Sequence, residues 1–184
     1  MRDRRKARGV IATTASIVAS ILIVLVLFDI CRSNTISAAF HGWPLWVLWS
    51  LILVGIIAYY GYLGYARHAY REMKLLSPIA LLLGAAGTVA GMKGYVEAGG
   101  ALIFLAYIIE MIVGRKLYYD YREESEAGAV LFILGVTLFV VSLPLALVRV
   151  KLVILGIIGD IVKLEGLILV LAALLRRRTG ERLA

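Results

Sequence analysis

Six apolar runs, separated by clusters of charge, constrain the fold of this chain more than any other feature. They cover residues 10–30, 45–66, 75–92, 98–114, 127–148 and 152–175. A helix rises about 1.5 Å per residue, so roughly 20 apolar residues are enough to cross a bilayer. Each run reaches or approaches this length. The pattern predicts an all-α integral membrane bundle of about six transmembrane helices, forming a single domain over residues 10–175.

The composition excludes several other classes of protein. Hydrophobic residues make up 62% of the chain, far more than the core of one soluble domain requires. The only cysteine, Cys31, allows no disulfide within the chain. The first run is longer than the core of a cleavable signal peptide and has no clear cleavage site after it, so we interpret it as a retained span. Glutamine is absent and asparagine occurs only at Asn34, which suggests a thermophilic source.

The distribution of positive charge predicts the orientation. Fifteen of the twenty basic residues fall on one side of the predicted membrane: Arg2, Arg4, Arg5, Lys6, Arg8, Arg67, Arg71, Lys74, Arg115, Lys116, Arg122, Arg176, Arg177, Arg178 and Arg182. By the positive-inside rule, both termini face the cytoplasm, with residues 1–9 and 176–184 as short basic ends. We expect a multi-pass protein of the plasma membrane. Its basic residues would bind anionic lipid headgroups rather than nucleic acid.

Aromatic residues collect at the ends of the second run. They are Trp43, Trp46 and Trp49 at one end, and Tyr59, Tyr60, Tyr62 and Tyr65 at the other. Amphipathic rings are typical of the membrane–water interface, so we interpret these residues as interfacial anchors. Stacking on a substrate is the alternative interpretation.

Small residues form two stripes at helical spacing. The third run carries Ala80, Gly84, Gly87, Gly91 and Gly94, and the first carries Ala12, Ala15 and Ala19. Because helices in lipid approach closely where side chains are small, both stripes predict helix packing. The glycine stripe could alternatively line a passage for an ion or solute. The alanine stripe could pack within the monomer or against another subunit.

The sixth run contains Asp160, Lys163 and Glu165. Each charge at the centre of a bilayer costs roughly 2.5–3.5 kcal/mol, so such residues are functional candidates. Asp160 and Lys163 are three residues apart and can pair on one helix face, whereas Glu165 points elsewhere. Glu110, in the fourth run, is a further candidate, and snorkelling to the interface is its simplest explanation.

Three hypotheses account for these charges. They could form a polar pathway or a relay for protons or ions, or a buried ion pair that sets the helix register. Alternatively, the helix could break at Gly159 and Gly166, so that residues 152–165 form a re-entrant segment.

The sequence offers no set of catalytic residues. His41 and His68 fall on opposite sides of the predicted membrane, and no motif for a metal, a cofactor or a nucleotide phosphate is present. We therefore expect no enzyme activity, no metal and no cofactor. We expect a small carrier, or a solute-binding transport subunit, that uses the charges of the last span. The alternative is a non-catalytic structural or accessory subunit of a larger membrane complex, or a homo-oligomer.

The size, span number and orientation are similar to those of the substrate-binding subunits of vitamin importers. In that class a small-residue face on the first helix docks a partner, and Ala12, Ala15 and Ala19 fit this pattern in general terms. The resemblance is one of architecture and implies a role in solute binding.

Overall fold

The structure, a computed structural model, describes residues 2–41 and 45–180 and contains no strand in these ranges. Its elements are α1 (Arg2–Ser33), α2 (Ala38–His41), α3 (Leu45–Tyr65), α4 (Tyr70–Met92), α5 (Val96–Arg122), α6 (Glu126–Val148), a 3₁₀ turn (Val150–Leu152) and α7 (Val153–Gly180). The chain is therefore an all-α helical bundle, as the apolar runs predict.

Five helices, α1 and α3 to α6, are both long and apolar enough to cross a membrane. Helix α7 has 28 residues but is set apart by its charges at Asp160, Lys163 and Glu165. It runs without a break through Gly159 and Gly166. The re-entrant interpretation required a break at these two glycines, so it does not hold.

The six long helices form a closed ring. In order around the ring, α1 packs against α3, α3 against α4, α4 against α5, α5 against α6, α6 against α7, and α7 against α1. Within the described residues, no two long helices on opposite sides of the ring make comparably extensive contact. The short helix α2 contacts α1 and α4 at one end of the ring. This arrangement creates an interior surface as well as an outer one.

The interior contains two separate cores. The first lies at the end where the basic residues collect and draws buried side chains from all six long helices, including Ala12, Tyr65, Met73, Phe132 and Leu174. The second lies towards the other end and is formed by α1, α2, α5, α6 and α7 with the 3₁₀ turn. No described side chain of α3 or α4 belongs to the second core. All six long helices therefore share a core only at the basic end.

Glycines bring α6 and α7 into backbone contact. A Cβ atom added at Gly159 would lie 2.6 Å from the backbone nitrogen of Phe139 and 3.0 Å from the carbonyl oxygen of Gly135. One added at Gly128 would lie 2.9 Å from the carbonyl oxygen of Gly166. These distances leave no room for a side chain, so the glycine seam of α6 and α7 sets the spacing of the two helices.

The glycine stripe of α4 packs only in part. Ala80, Gly87 and Gly91 are buried. A Cβ at Gly87 would lie 2.8 Å from the carbonyl oxygen of Gly99 in α5, and one at Gly91 would meet the ring of Phe40 in α2. This part of the stripe therefore holds two neighbouring elements against α4.

Two glycines of that stripe depart from the prediction. A Cβ at Gly84 would have no neighbour within 4 Å. Gly94 lies beyond the end of α4 at Met92 and has a φ of 92°, in the left-handed region that favours glycine. The prediction that the whole stripe from Ala80 to Gly94 packs against another helix is therefore wrong at two positions: Gly84 makes no close contact, and Gly94 belongs to the turn that ends the helix.

The alanine stripe of α1 packs inside the monomer. Ala12 and Ala15 are buried and Ala19 is half-buried. A Cβ at Gly61 of α3 would lie 2.8 Å from the Cβ of Ala12. Of the two alternatives left open by the sequence, the structure shows packing within the monomer.

Replacing Gly159 with alanine tests the glycine seam. The added methyl group would collide with the backbone of Phe139, so we expect G159A to lower the free energy of unfolding by about 1–3 kcal/mol. The matched control G84A enters open space and should leave stability unchanged or raise it by about 0.4–1 kcal/mol. Denaturant unfolding in detergent, followed by circular dichroism, measures both. Equal effects of the two substitutions would contradict the backbone contact.

Candidate functional site

Asp160 and Lys163 form an ion pair along one face of α7, as their spacing predicts. The side chain of Asp160 is 0% exposed and that of Lys163 is 14% exposed. The Lys163 Nζ atom also lies 5.5 Å from the centre of the Phe139 ring in α6. The pair is therefore held between α6 and α7, close to the middle of α6.

The glycine seam explains why this pair is so deeply buried. A Cβ atom at Gly135 would meet the backbone of Lys163, so α6 and α7 lie against each other at the level of the pair. In the described residues, Lys163 is the sole ionic partner of Asp160, and neither carboxylate oxygen accepts a hydrogen bond from another group. A buried pair with so few partners contributes little to stability, because desolvation offsets its attraction. Stability alone does not account for it.

Glu110 of α5 is exposed in a place where its neighbours are buried. It lies one turn from Ala106 and one turn from Val113 and Gly114, all of which are buried on the same helix face. The exposed Glu110 side chain therefore interrupts a face of α5 that is otherwise packed. Phe139 of α6 connects this turn of α5 to the ion pair of α7, because its ring centre lies 4.7 Å from that of Tyr107 and 5.5 Å from the Lys163 Nζ atom.

Glu110, Asp160 and Lys163 thus form one group, the central charge cluster. Tyr107, one turn before Glu110, is the side chain through which α5 contacts Phe139, with the two rings packed edge-on. The structure therefore brings together three of the four charged residues that the sequence singled out. Snorkelling to the interface is therefore not a sufficient explanation of Glu110, because this residue lies near the charges of α7.

Glu165 is not part of the central charge cluster. It is exposed and lies on the stripe of α7 that carries Ile154, Ile158, Ile161 and Ile168, all of them exposed. This stripe forms the outer surface of α7. The Glu165 carboxylate is therefore on the same helix as Asp160 and Lys163 but on a different face.

Two of the expected anchors are buried inside the bundle. Tyr62 and Tyr65 are 6% and 1% exposed. The Tyr62 hydroxyl lies 2.8 Å from the Ser16 Oγ atom and is also hydrogen-bonded to the hydroxyl of Tyr121. These rings join α1, α3 and α5 from within, so they do not face the headgroups as the belt prediction requires. The sequence pattern did not reveal this, because a tyrosine at a helix end fits either environment.

The other aromatic residues of the predicted belts lie as follows. Tyr60 is exposed and Tyr59 is half-buried, while Trp49 is exposed on α3. These positions are compatible with anchoring. Trp43 and the side chain of Trp46 lie outside the part of the chain that the structure describes.

Asp120 is a buried acid that the sequence analysis did not single out. One of its carboxylate oxygens accepts hydrogen bonds from the backbone N–H groups of Arg67, at 2.8 Å, and His68, at 3.3 Å. The other accepts one from Ala69 at 3.1 Å. The Arg5 guanidinium lies 3.5 Å away, so Asp120 ties the α3–α4 connection to the start of α1. The sequence carried one signal of this buried role: Asp120 falls on the buried stripe of α5, three residues after Leu117.

The two buried acids differ in what they can do. Asp120 is saturated with donors, which is typical of a structural carboxylate. The central charge cluster has an exposed carboxylate and a buried one with a single partner, and is therefore the better candidate for a binding site. In the described residues, no group of three or more His, Cys, Asp and Glu side chains is placed to hold a metal ion.

No protein-family model, curated protein or solved structure matches this chain.

Separate and combined substitution of the ion pair tests how its two charges depend on each other. We expect K163M to lower the free energy of unfolding by about 3 kcal/mol or more, because it leaves Asp160 buried without a cation. The double variant D160N/K163M should recover most of that loss, since neither charge remains. E165Q, a neutralisation on the outer face of α7, should change stability by less than about 0.5 kcal/mol. A double-mutant cycle in detergent measures the coupling, and strictly additive effects would contradict the ion pair.

Proposed function

We propose that this chain is a small membrane carrier, or the solute-binding subunit of one, and that its solute binds at the central charge cluster. The observation that carries the proposal is the exposure of Glu110 on an otherwise buried face of α5, close to the buried pair of Asp160 and Lys163. A carrier requires a charged group that a solute can reach inside the bundle. We infer that Glu110 is this group.

The energetics of the cluster support a functional role. Charges within a span are costly, and a purely structural bundle gains more from apolar side chains at these positions. All six long helices contribute to the core at the basic end, whereas α3 and α4 contribute no described side chain to the other core, and we infer that a solute enters from that other end. At the end of the ring away from the basic residues, Phe40 of α2 lies against Gly91 of α4.

The carboxylates of the cluster also suggest how transport is driven. The Glu110 carboxylate can hold a proton or a positively charged solute but not both, so the binding of one would release the other. We infer that movement of the solute is linked to movement of a proton through this competition. Asp160 and Lys163 would set the electrostatic field in which the exchange takes place.

We infer that both termini face the cytoplasm and that the protein resides in the plasma membrane. The basic residues at the start of α1 lie beside the α3–α4 connection and the end of α5. The basic residues of these segments therefore collect at one end of the ring, where they would bind anionic headgroups. Cys31, near the opposite end of α1, offers a test. It should react with a membrane-impermeant maleimide in intact cells, and reaction only after the cells are opened would contradict this orientation.

A role as an accessory subunit is the second candidate, and Glu165 favours it. An acid within an exposed stripe of isoleucines is costly in lipid unless another chain supplies a donor. Native mass spectrometry of the purified protein distinguishes the two functions. A stoichiometric partner that is lost from E165L would support the accessory role.

Reconstituted liposomes test the carrier proposal. Vesicles that contain the protein and a pH-sensitive dye would be exposed to a panel of charged and neutral solutes, and solute-dependent proton movement would be recorded. We expect E110Q and D160N to reduce this flux at least about tenfold, because the exchanging charge or its field is lost. The control E165Q, on the outer face of the same helix as Asp160, should retain wild-type flux. Wild-type flux in folded E110Q would contradict the proposal.

A further inference from the structure

We propose that the solute is a monovalent organic cation, a substituted ammonium ion with an apolar body, which binds at Glu110 in exchange for one proton. This inference rests on the proposed function and specifies the class of solute. It follows from the charge balance of the central charge cluster and from the aromatic ring next to it.

When all three of its groups are ionised, the cluster has one negative charge in excess. Glu110 and Asp160 are acids, and Lys163 is the base that acts on both of them. Charges inside a low-dielectric bundle interact strongly, so an uncompensated carboxylate favours any cation that can reach it. An anionic solute would meet net repulsion, whereas one monovalent cation or one proton brings the cluster to neutrality.

The excess charge resides on Glu110. Asp160 is completely buried and Lys163 is its sole ionic partner in the described residues, so the ammonium group is already engaged. Lys163 is also held over the Phe139 ring. Glu110 is the exposed member of the cluster and hence the one that a solute can contact.

The aromatic surroundings select an organic cation. Tyr107 is partly exposed one turn before Glu110, and its ring is fixed edge-on against Phe139. A cation paired with Glu110 can lie over this ring and gain a cation–π interaction. Hard metal cations require several oxygen ligands, and no group of three or more acidic, histidine or cysteine side chains in the described ranges is arranged to provide them.

The titratable groups around Glu110 indicate that Glu110 itself exchanges the proton. Its titratable neighbours are Lys163 and Asp160 of α7, Tyr62 of α3 and Tyr107 of its own helix. The helices packed directly against α5 carry their ionisable side chains in their first turns, at the basic end of the ring: Tyr70, Arg71, Glu72, Lys74 and Glu126. The exchange is therefore a proton leaving the Glu110 carboxyl group as the ammonium ion arrives.

Binding of a defined probe tests this inference. Phenyltrimethylammonium chloride would be titrated into the purified protein in detergent, by calorimetry in two buffers of different ionisation enthalpy. Its neutral carbon isostere, tert-butylbenzene, serves as the matched ligand. We expect the cation to bind with release of about one proton, as linkage requires if Glu110 is protonated beforehand, and the neutral isostere to bind at least about tenfold more weakly.

Matched variants assign the effect to residues. E110Q should weaken binding of the cation at least about tenfold and abolish proton release, whereas E165Q should bind as wild type. Y107F should retain most of the affinity and Y107L should lose part of it, because only phenylalanine keeps an aromatic face. If E110Q does not fold, E110D should still release a proton on binding.

Several results would overturn the inference. They are equal binding of the neutral isostere, unchanged binding by folded E110Q, and displacement of the probe by an equal concentration of Na⁺. Transport of other solutes in the liposome assay, with no binding of the probe, would overturn the cation assignment and leave the carrier proposal intact. Probe binding with proton release but no flux of any solute would support the cation site and overturn the carrier proposal.

Discussion

The backbone contact between α6 and α7 is the constraint on which the rest of the structure depends. Glycines on both helices remove the side chains that would hold them apart, so Phe139 and Gly135 approach the backbone of α7 directly. This approach excludes water from Asp160 and leaves Lys163 as its partner. Without the glycine seam, the charges of α7 would face a looser and wetter environment, and their pairing would not be enforced.

The ring of helices then determines where the unpaired charge lies. Helix α5 packs along α4 on one side and along α6 on the other, and at the basic end its inner face also meets Tyr62 and Tyr65 of α3. Most of this face is buried, whereas the Glu110 side chain is exposed. A charge imbalance inside the ring, with one accessible carboxylate, is the physical basis of the proposed exchange of a cation for a proton.

The sequence predicted what depends on local pattern, and it missed what depends on neighbours. The apolar runs gave the helices, and the spacing of Asp160 and Lys163 gave their pairing, because both follow from helical periodicity. Periodicity does not say which helices are adjacent, so neither the approach of Glu110 to α7 nor the burial of Tyr62 could be derived from it. Gly94 was misassigned because a glycine at helical spacing can equally well end the helix.

The accessibility of position 110 to water tests the central claim most directly. A nitroxide label would be attached to cysteine in the variant E110C, in a C31S background, with I161C on the outer stripe of α7 as the control. In liposomes, we expect the label at position 110 to collide mainly with a water-soluble nickel complex and the label at position 161 mainly with oxygen dissolved in the lipid. A label at position 110 that senses oxygen as strongly as the control would place Glu110 in lipid and contradict a solute-accessible site inside the ring.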